Sequence, residues 1–332
     1  MMKQAQIAAA AMACAASITA SAAAGSATAL VARTPFESHD TNNGTVRYYL
    51  APAPAEPRPL LLVIQGSGCE PVFQPGPAGM RATASQDVLQ EMSNGRFVVM
   101  VVDKLGVTSE AASRATNPGA LTGCAETVRA NHSLPAWTAA LGRAIDAARA
   151  DPRVDPRAGV RVLGMSEGAV TAARLAAERP DISHVTFISG TGCNQWDDMF
   201  VVAPRWQPND PAGAISYVET QLRSVFANPE DTQADVLGQT SLYWSTFGRA
   251  CAAEDLAKSN ADVFLAWGTD DPQIDPSGVE AIPAALLAAG RTFHAKRVFA
   301  GSHTLDTPGS EPFANLFTIY EEALAWMEDT GP

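Results

Sequence analysis

The chain has 332 residues, 46% of them hydrophobic and 17% charged, and 23 Lys and Arg against 35 Asp and Glu give a formal charge of -12. This balance excludes both a disordered polyampholyte and a membrane bundle. The acidity repels phosphate backbones and anionic lipid, so no nucleic-acid partner is expected.

The opening residues, MMKQAQIAAAAMACAASITASAAAGSATA, carry one Lys, then a long Ala-rich apolar run, then small residues in the Ala-x-Ala arrangement that signal peptidases accept. Residues 1–29 are therefore predicted to be a secretory signal cleaved after Ala22 or Ala29. The run is too weakly hydrophobic to leave a stable membrane anchor once the signal is removed. Cys14 lacks the preceding Leu of a lipoprotein signal, so lipidation is not expected. Residues 30–332 then form one domain in the periplasm or outside the cell, where cysteines oxidise. Four remain there, Cys69, Cys124, Cys193 and Cys251, enough for two disulfides. Three connectivities are open, of which Cys69 with Cys124 and Cys193 with Cys251 gives two non-crossing loops. No Cys-x-x-Cys or His-x-x-x-His spacing suggests a metal, and no cofactor is expected.

From about Thr45 the alternating Thr-Val-Arg-Tyr-Tyr-Leu predicts an edge-type strand. Continuous apolar runs follow at Leu60 to Ile64, Phe97 to Val102, Val160 to Leu163, Val185 to Ile188 and Val263 to Trp267. Such runs suit parallel strands covered on both faces. Helical periodicity sits between them at Leu134 to Arg149, Ala169 to Glu178 and Gly278 to Ala289, with a last strand from Thr292 to Ala300 and a closing helix from Pro312 to Asp329. The alternation predicts an α/β fold: a mostly parallel central sheet with helices on both faces. One interval breaks it, from Cys193 to Ala261, about seventy residues and far longer than an ordinary connection. It contains Trp196, Trp206, Tyr217, Phe226, Tyr243, Trp244 and Phe247, against a chain average of 7% aromatic residues. A helical cap over an active site is the preferred reading, and a self-packed appendage the alternative.

The pentapeptide Gly164-Met165-Ser166-Glu167-Gly168 lies directly after one predicted strand and directly before a predicted helix. Gly-x-Ser-x-Gly alone is a weak signal, but in this context it specifies a strand-turn-helix elbow with an exposed serine hydroxyl. Ser166 is the candidate nucleophile, and a serine needs a general base. Of five histidines, only His303 follows a strand end late in the chain, on a loop able to reach the elbow. The acid that orients such a base usually lies between the two in sequence. Asp271, at the end of Trp267-Gly268-Thr269-Asp270-Asp271, is the first choice, with Asp270 in reserve, Asp275 third, and Asp197 or Asp198 an outside alternative. An oxyanion requires two fixed N–H donors: one from the backbone of Glu167, the other from Gln65-Gly66-Ser67-Gly68, with Ser67 ahead of Gly68. The Glu167 side chain is expected only to favour the helix N-terminus.

These residues in this order, Ser166 in GMSEG, Asp271 in GTDD, His303 in GSH and the loop QGSG, resemble the α/β-hydrolase superfamily, over nearly everything from Arg58 to the C-terminus. Gln65 stands where many relatives have His, and Met165 likewise, so no named lipase or esterase subgroup is implied. The stretch from Asp103-Lys104-Leu105-Gly106-Val107 to Gly168 is similar to bacterial hydrolases related to dienelactone hydrolases and peptidases. Dienelactone hydrolases themselves use a cysteine nucleophile, so that substrate is not carried over. The resemblance implies an exported serine hydrolase acting on a carboxylic ester, its partner a small-molecule ester or a short acyl or peptidyl substrate, with a serine peptidase or amidase on the same fold the runner-up. A binding protein on a hydrolase scaffold is the alternative from another class.

Overall fold

The computed structural model describes residues 36–40, 44–51, 55–76, 79–82, 86–107 and 119–328. The predicted signal, residues 1–29 with Cys14, lies outside them. The strands are β1 (Phe36–Asp40), β2 (Gly44–Leu50), β3 (Leu60–Ile64), the short hairpin β4 (Phe73–Gly76) and β5 (Gly79–Ala82), β6 (Val98–Val102), β7 (Val160–Met165), β8 (Ile182–Ile188), β9 (Asp262–Gly268) and β10 (His294–Val298). The helices are α1 (Gln86–Ser93), α2 (Glu126–Asn131), α3 (Leu134–Ala148), α4 (Glu167–Glu178), α5 (Gln195–Trp206), α6 (Pro211–Ala227), α7 (Ser241–Thr246), α8 (Ala252–Lys258), α9 (Pro276–Ala288) and α10 (Ala314–Glu328).

Eight strands form one sheet in the order β1-β2-β6-β3-β7-β8-β9-β10. All neighbours from β6 onward pair in parallel, and β2 runs antiparallel to both β1 and β6. The apolar runs explain the centre. In β3, Leu60, Leu62 and Ile64 enter one core while Leu61 and Val63 enter the other. β6 divides in the same way, with Val98, Met100 and Val102 opposed to Val99 and Val101. A strand whose alternate residues face two cores needs apolar residues at every position, which is why these runs do not alternate. Helices α3 and α4 cover one face through Trp137, Leu141, Ile145 and Leu175; α10 covers the other through Leu316, Tyr320, Leu324 and Met327.

The edges differ from expectation. The segment from Thr45 is not an edge strand, because β1 pairs outside it in the register Phe36↔Tyr48 to Asp40↔Gly44. Its alternation arises because Val46 and Tyr48 face one core and Tyr49 the other, while Gly44 and Thr45 are exposed. At the opposite edge β10 is mostly exposed, and its Lys296 and Arg297 leave that rim charged.

Between β8 and β9 the chain makes α5 to α8. Cys193 and Cys251 are joined near the two ends of this excursion, and Cys69 is joined to Cys124. Its aromatics pack largely on each other: Trp196 stacks on Trp244 at 4.6 Å between ring centres and Tyr243 on Phe247 at 4.7 Å.

Candidate active site

β7 delivers Ser166 into a turn with φ 58° and ψ -126°, a strained conformation for a residue with a side chain. Ile188 O of the neighbouring strand accepts from the Ser166 N–H at 2.9 Å, which holds the turn. The flanking glycines are steric necessities. A Cβ on Gly164 would run into the carbonyl of Gly168, and one on Gly168 into the carbonyls of Ile64 and Gln65. The elbow closes only because both lack side chains.

His303 sits in the loop after β10, 5% exposed, and Asp271 after β9 is fully buried. His303 Nδ1 and Asp271 Oδ2 are 2.7 Å apart. Asp271 Oδ1 accepts from the backbone N–H groups of Gln273 at 2.8 Å and Ile274 at 3.3 Å. Three donors thus orient one carboxylate; with a proton on Nδ1, Nε2 is left as a lone pair. The two loops are sewn together: Thr269 N–H donates to Val298 O, Asp270 N–H to Gly301 O and Ala300 N–H to Thr269 Oγ1. A Cβ on Gly268 would strike Gly301, so this close approach also depends on glycine.

The reserve acids lie elsewhere. Asp270 is exposed and meets Thr269 Oγ1, Asp275 caps α9 by accepting from Ser277 N–H, and Asp197 accepts from Asn194 Nδ2. Asp198 is buried and accepts from Thr191 Oγ1 at 2.6 Å. Burial raises its carboxyl to about 7. A carboxyl raised in the folded state favours folding while protonated, and that advantage fades as pH climbs from about 4, where the unfolded chain ionises, to about 7. Asp198→Asn removes the penalty. Urea titrations should find it more stable than the unmutated protein by about 1–3 kcal/mol at pH 8, with the gap closing at pH 5.

Ser166 and His303 line one cavity of about 70 Å³ together with Ser67, Gly119 and Glu167 of the core. The excursion between β8 and β9 contributes Gln195, Met199, Leu237, Gln239, Tyr243 and Trp244. Among the described residues, the backbone N–H groups of Ser67, Gly68 and Glu167 have no acceptor. Gly68, at φ 109°, turns the loop, whereas Ser67 faces the cavity.

Lys104 is the residue that sequence reasoning missed. Its side chain is 1% exposed, and Nζ donates to Gly66 O at 2.7 Å, Gly68 O at 2.9 Å and Glu167 Oε1 at 2.8 Å. A trans peptide points its C=O and N–H in opposite directions. Holding the Gly66 carbonyl therefore fixes which way the Ser67 N–H points. The Glu167 side chain, expected only to complement a helix end, is instead buried between Lys104 and His132, whose Nε2 lies 3.2 Å away. Burial pushes its carboxyl up, but Lys104 and His132 outweigh that and hold it at about 2. Burial holds His132 below the usual imidazole range, and its ring packs near-parallel to both Tyr243 and Phe247, with ring centres 5.7 and 5.4 Å away. The signal available in the sequence was position: Lys104 follows an apolar strand that neighbours β3, at the carboxyl end of a parallel sheet where sites gather.

This network carries a pH dependence. A carboxyl depressed in the folded state contributes stability above about pH 4.3 and loses it as pH falls toward 2. A histidine held below its ordinary value costs stability in the same direction below about pH 6.5. The contribution of this network should therefore fall from pH 6.5 to 2, opposed above about pH 4 by Asp198; in the Asp198→Asn variant, which lacks that opposing carboxyl, a flat acid limb in denaturant titrations would contradict the buried network.

This order of strands, with the elbow after the central β7, is the α/β-hydrolase fold. No family model matches the chain, and no curated protein sequence does. Among solved structures it resembles a candidate dienelactone hydrolase of Klebsiella pneumoniae subsp. pneumoniae at 14% identity and TM-score 0.55, over 90% of this chain and 99% of that one. Est1E of Butyrivibrio proteoclasticus aligns at 14% identity and TM-score 0.52, over 88% and 98%. Acylaminoacyl peptidase of Pyrococcus horikoshii aligns at 12% identity and TM-score 0.59, over 90% of this chain but 42% of that larger one. All three are α/β-hydrolase superfamily members, and at these identities what is shared is the fold.

Proposed function

We propose that the chain is an exported serine hydrolase that cleaves a carboxylic ester through an acyl-enzyme. The observation that carries this reading is the placement of a strained, cavity-facing Ser166 on the same cavity as a histidine fixed by a buried carboxylate. His303 Nε2 takes the Ser166 proton as Oγ attacks the ester carbonyl. The N–H groups of Glu167 and Ser67 receive the oxyanion, and His303 returns the proton to the departing alcohol. Water then repeats the sequence on the acyl-enzyme and releases the acid. Asp271 holds the imidazole in one tautomer and stabilises its charged form. The helical excursion from Cys193 to Ala261 acts as a cap, since six of its side chains wall the cavity. Export accords with the two disulfides, and among the described residues no helix is long and apolar enough to cross a membrane.

The purified protein should turn over short p-nitrophenyl esters and leave aminoacyl p-nitroanilides nearly untouched. A preference for the anilides would move the assignment to a peptidase on the same fold. Export is read separately, by the N-terminus of the protein recovered from its host: loss of residues 1–22 or 1–29 is expected, and a retained Met1 would defeat it.

A further inference from the structure

The cavity wall opposite the core includes a tight turn, Val236 to Gln239, closed by reciprocal backbone bonds of 2.8 and 3.0 Å. Leu237 and Gly238 both have positive φ, 50° and 81°, which is costly for leucine. The turn is held from three sides: Trp244 Nε1 donates to Val236 O at 2.6 Å, Leu121 N–H to Gly238 O at 2.9 Å, and Gly238 N–H to Asp235 Oδ1 at 3.0 Å. Both Leu237 and Gln239 are presented to the cavity that Ser166 and His303 line. Gln239 is only 8% exposed. Its Nε2 donates to Gly119 O at 2.7 Å, which fixes the amide orientation, because the flipped amide would set two acceptors against each other. Its Oε1 is buried and has no hydrogen-bond partner among the described residues.

A buried acceptor on a rigid turn is a demand for a donor. Charge narrows what that donor is. Among the described residues the titratable side chains lining the cavity are Glu167, His303 and Tyr243. Glu167 is engaged by Lys104 and His132, and His303 by Asp271. Burial keeps the Tyr243 phenol protonated and neutral, with its hydroxyl donating to Gln195 Oε1 at 3.4 Å. An ammonium or a carboxylate entering here would be desolvated without a counter-ion. The cavity volume of about 70 Å³ suits a short group. Resting on the esterase reading above, we propose that Gln239 sets specificity for substrates with a small acyl group bearing a neutral hydrogen-bond donor, a hydroxyl or an amide N–H, which Oε1 accepts.

The test compares p-nitrophenyl butyrate with p-nitrophenyl 3-hydroxybutyrate, for the hydroxyl, and p-nitrophenyl N-acetylglycinate, for the amide. Each is measured as kcat/KM divided by its rate with hydroxide ion, which removes intrinsic reactivity. The protein should favour at least one donor-bearing ester over butyrate by about tenfold or more on this scale, and Gln239→Met should bring that ratio to within about threefold of unity. The favoured arm tells hydroxyl from amide. Equal normalised rates for all three esters in the unmutated protein would overturn the inference while leaving the esterase reading intact, even if the Met variant does not fold. No turnover of any ester would overturn both.

Discussion

Ser166→Ala should lower kcat on p-nitrophenyl acetate by about 10⁴- to 10⁶-fold while the protein keeps its fold and stability. The size follows from the role: without Oγ no acyl-enzyme forms, and what remains comes from the oxyanion donors and binding alone. Neighbouring variants should grade in a pattern that a merely structural site would not produce. Asp271→Asn keeps the shape but inverts the hydrogen bond that sets the His303 tautomer, and should cost about 10⁴-fold at neutral pH. Asp270→Asn, one residue away and exposed, should change kcat by less than about twofold, as surface polar substitutions remote from the reacting atoms do. Comparable losses at both positions would remove the basis for choosing Asp271.

The second large effect is at Lys104. Lys104→Met should destabilise the protein by about 3–5 kcal/mol in denaturant titrations, because it leaves the buried Glu167 carboxylate beside His132 and Tyr243 without its cation. It should also lower kcat by about ten- to a hundredfold with little change in KM, since the Gly66 carbonyl loses its anchor and the Ser67 N–H is no longer aimed. The two effects separate in the double variant Lys104→Met with Glu167→Leu. Removing both charges restores much of the stability, whereas the catalytic loss persists because the loop remains untethered. Wild-type stability in Lys104→Met, or full recovery of kcat in the double variant, would contradict this assignment of Lys104.

Much of the fold was legible because the central strands are buried on both faces. β3, β6 and the first part of β7 read as apolar runs, and the helices between them show the 3.6-residue period, so the α/β order emerged without tertiary knowledge. The elbow was legible for a different reason: its two glycines are required by backbone approach, and such requirements leave a spaced pattern in sequence. The pairing of His303 with Asp271 could be anticipated from chain order, and the particular Asp from nothing stronger than its place at a strand end. The edges were harder. β1 has no apolar run, and its pairing to β2 depends on a hairpin register that hydrophobicity does not encode. Hardest was the buried polar network. Lys104, His132 and Glu167 stand at positions 104, 132 and 167 and meet only through the fold. A lone lysine after a strand or a lone histidine before a helix is locally indistinguishable from a solvated residue. The same holds for Gln239, whose meaning depends on a carbonyl 120 residues away.

The most direct test of the central claim is mass spectrometry of the folded protein after exposure to a fluorophosphonate. One phosphonyl adduct is expected, on the peptide containing Ser166, abolished by Ser166→Ala and by prior heat denaturation. A folded protein that turns over no ester and acquires no adduct at Ser166, or one labelled equally in the Ser166→Ala variant, would contradict it.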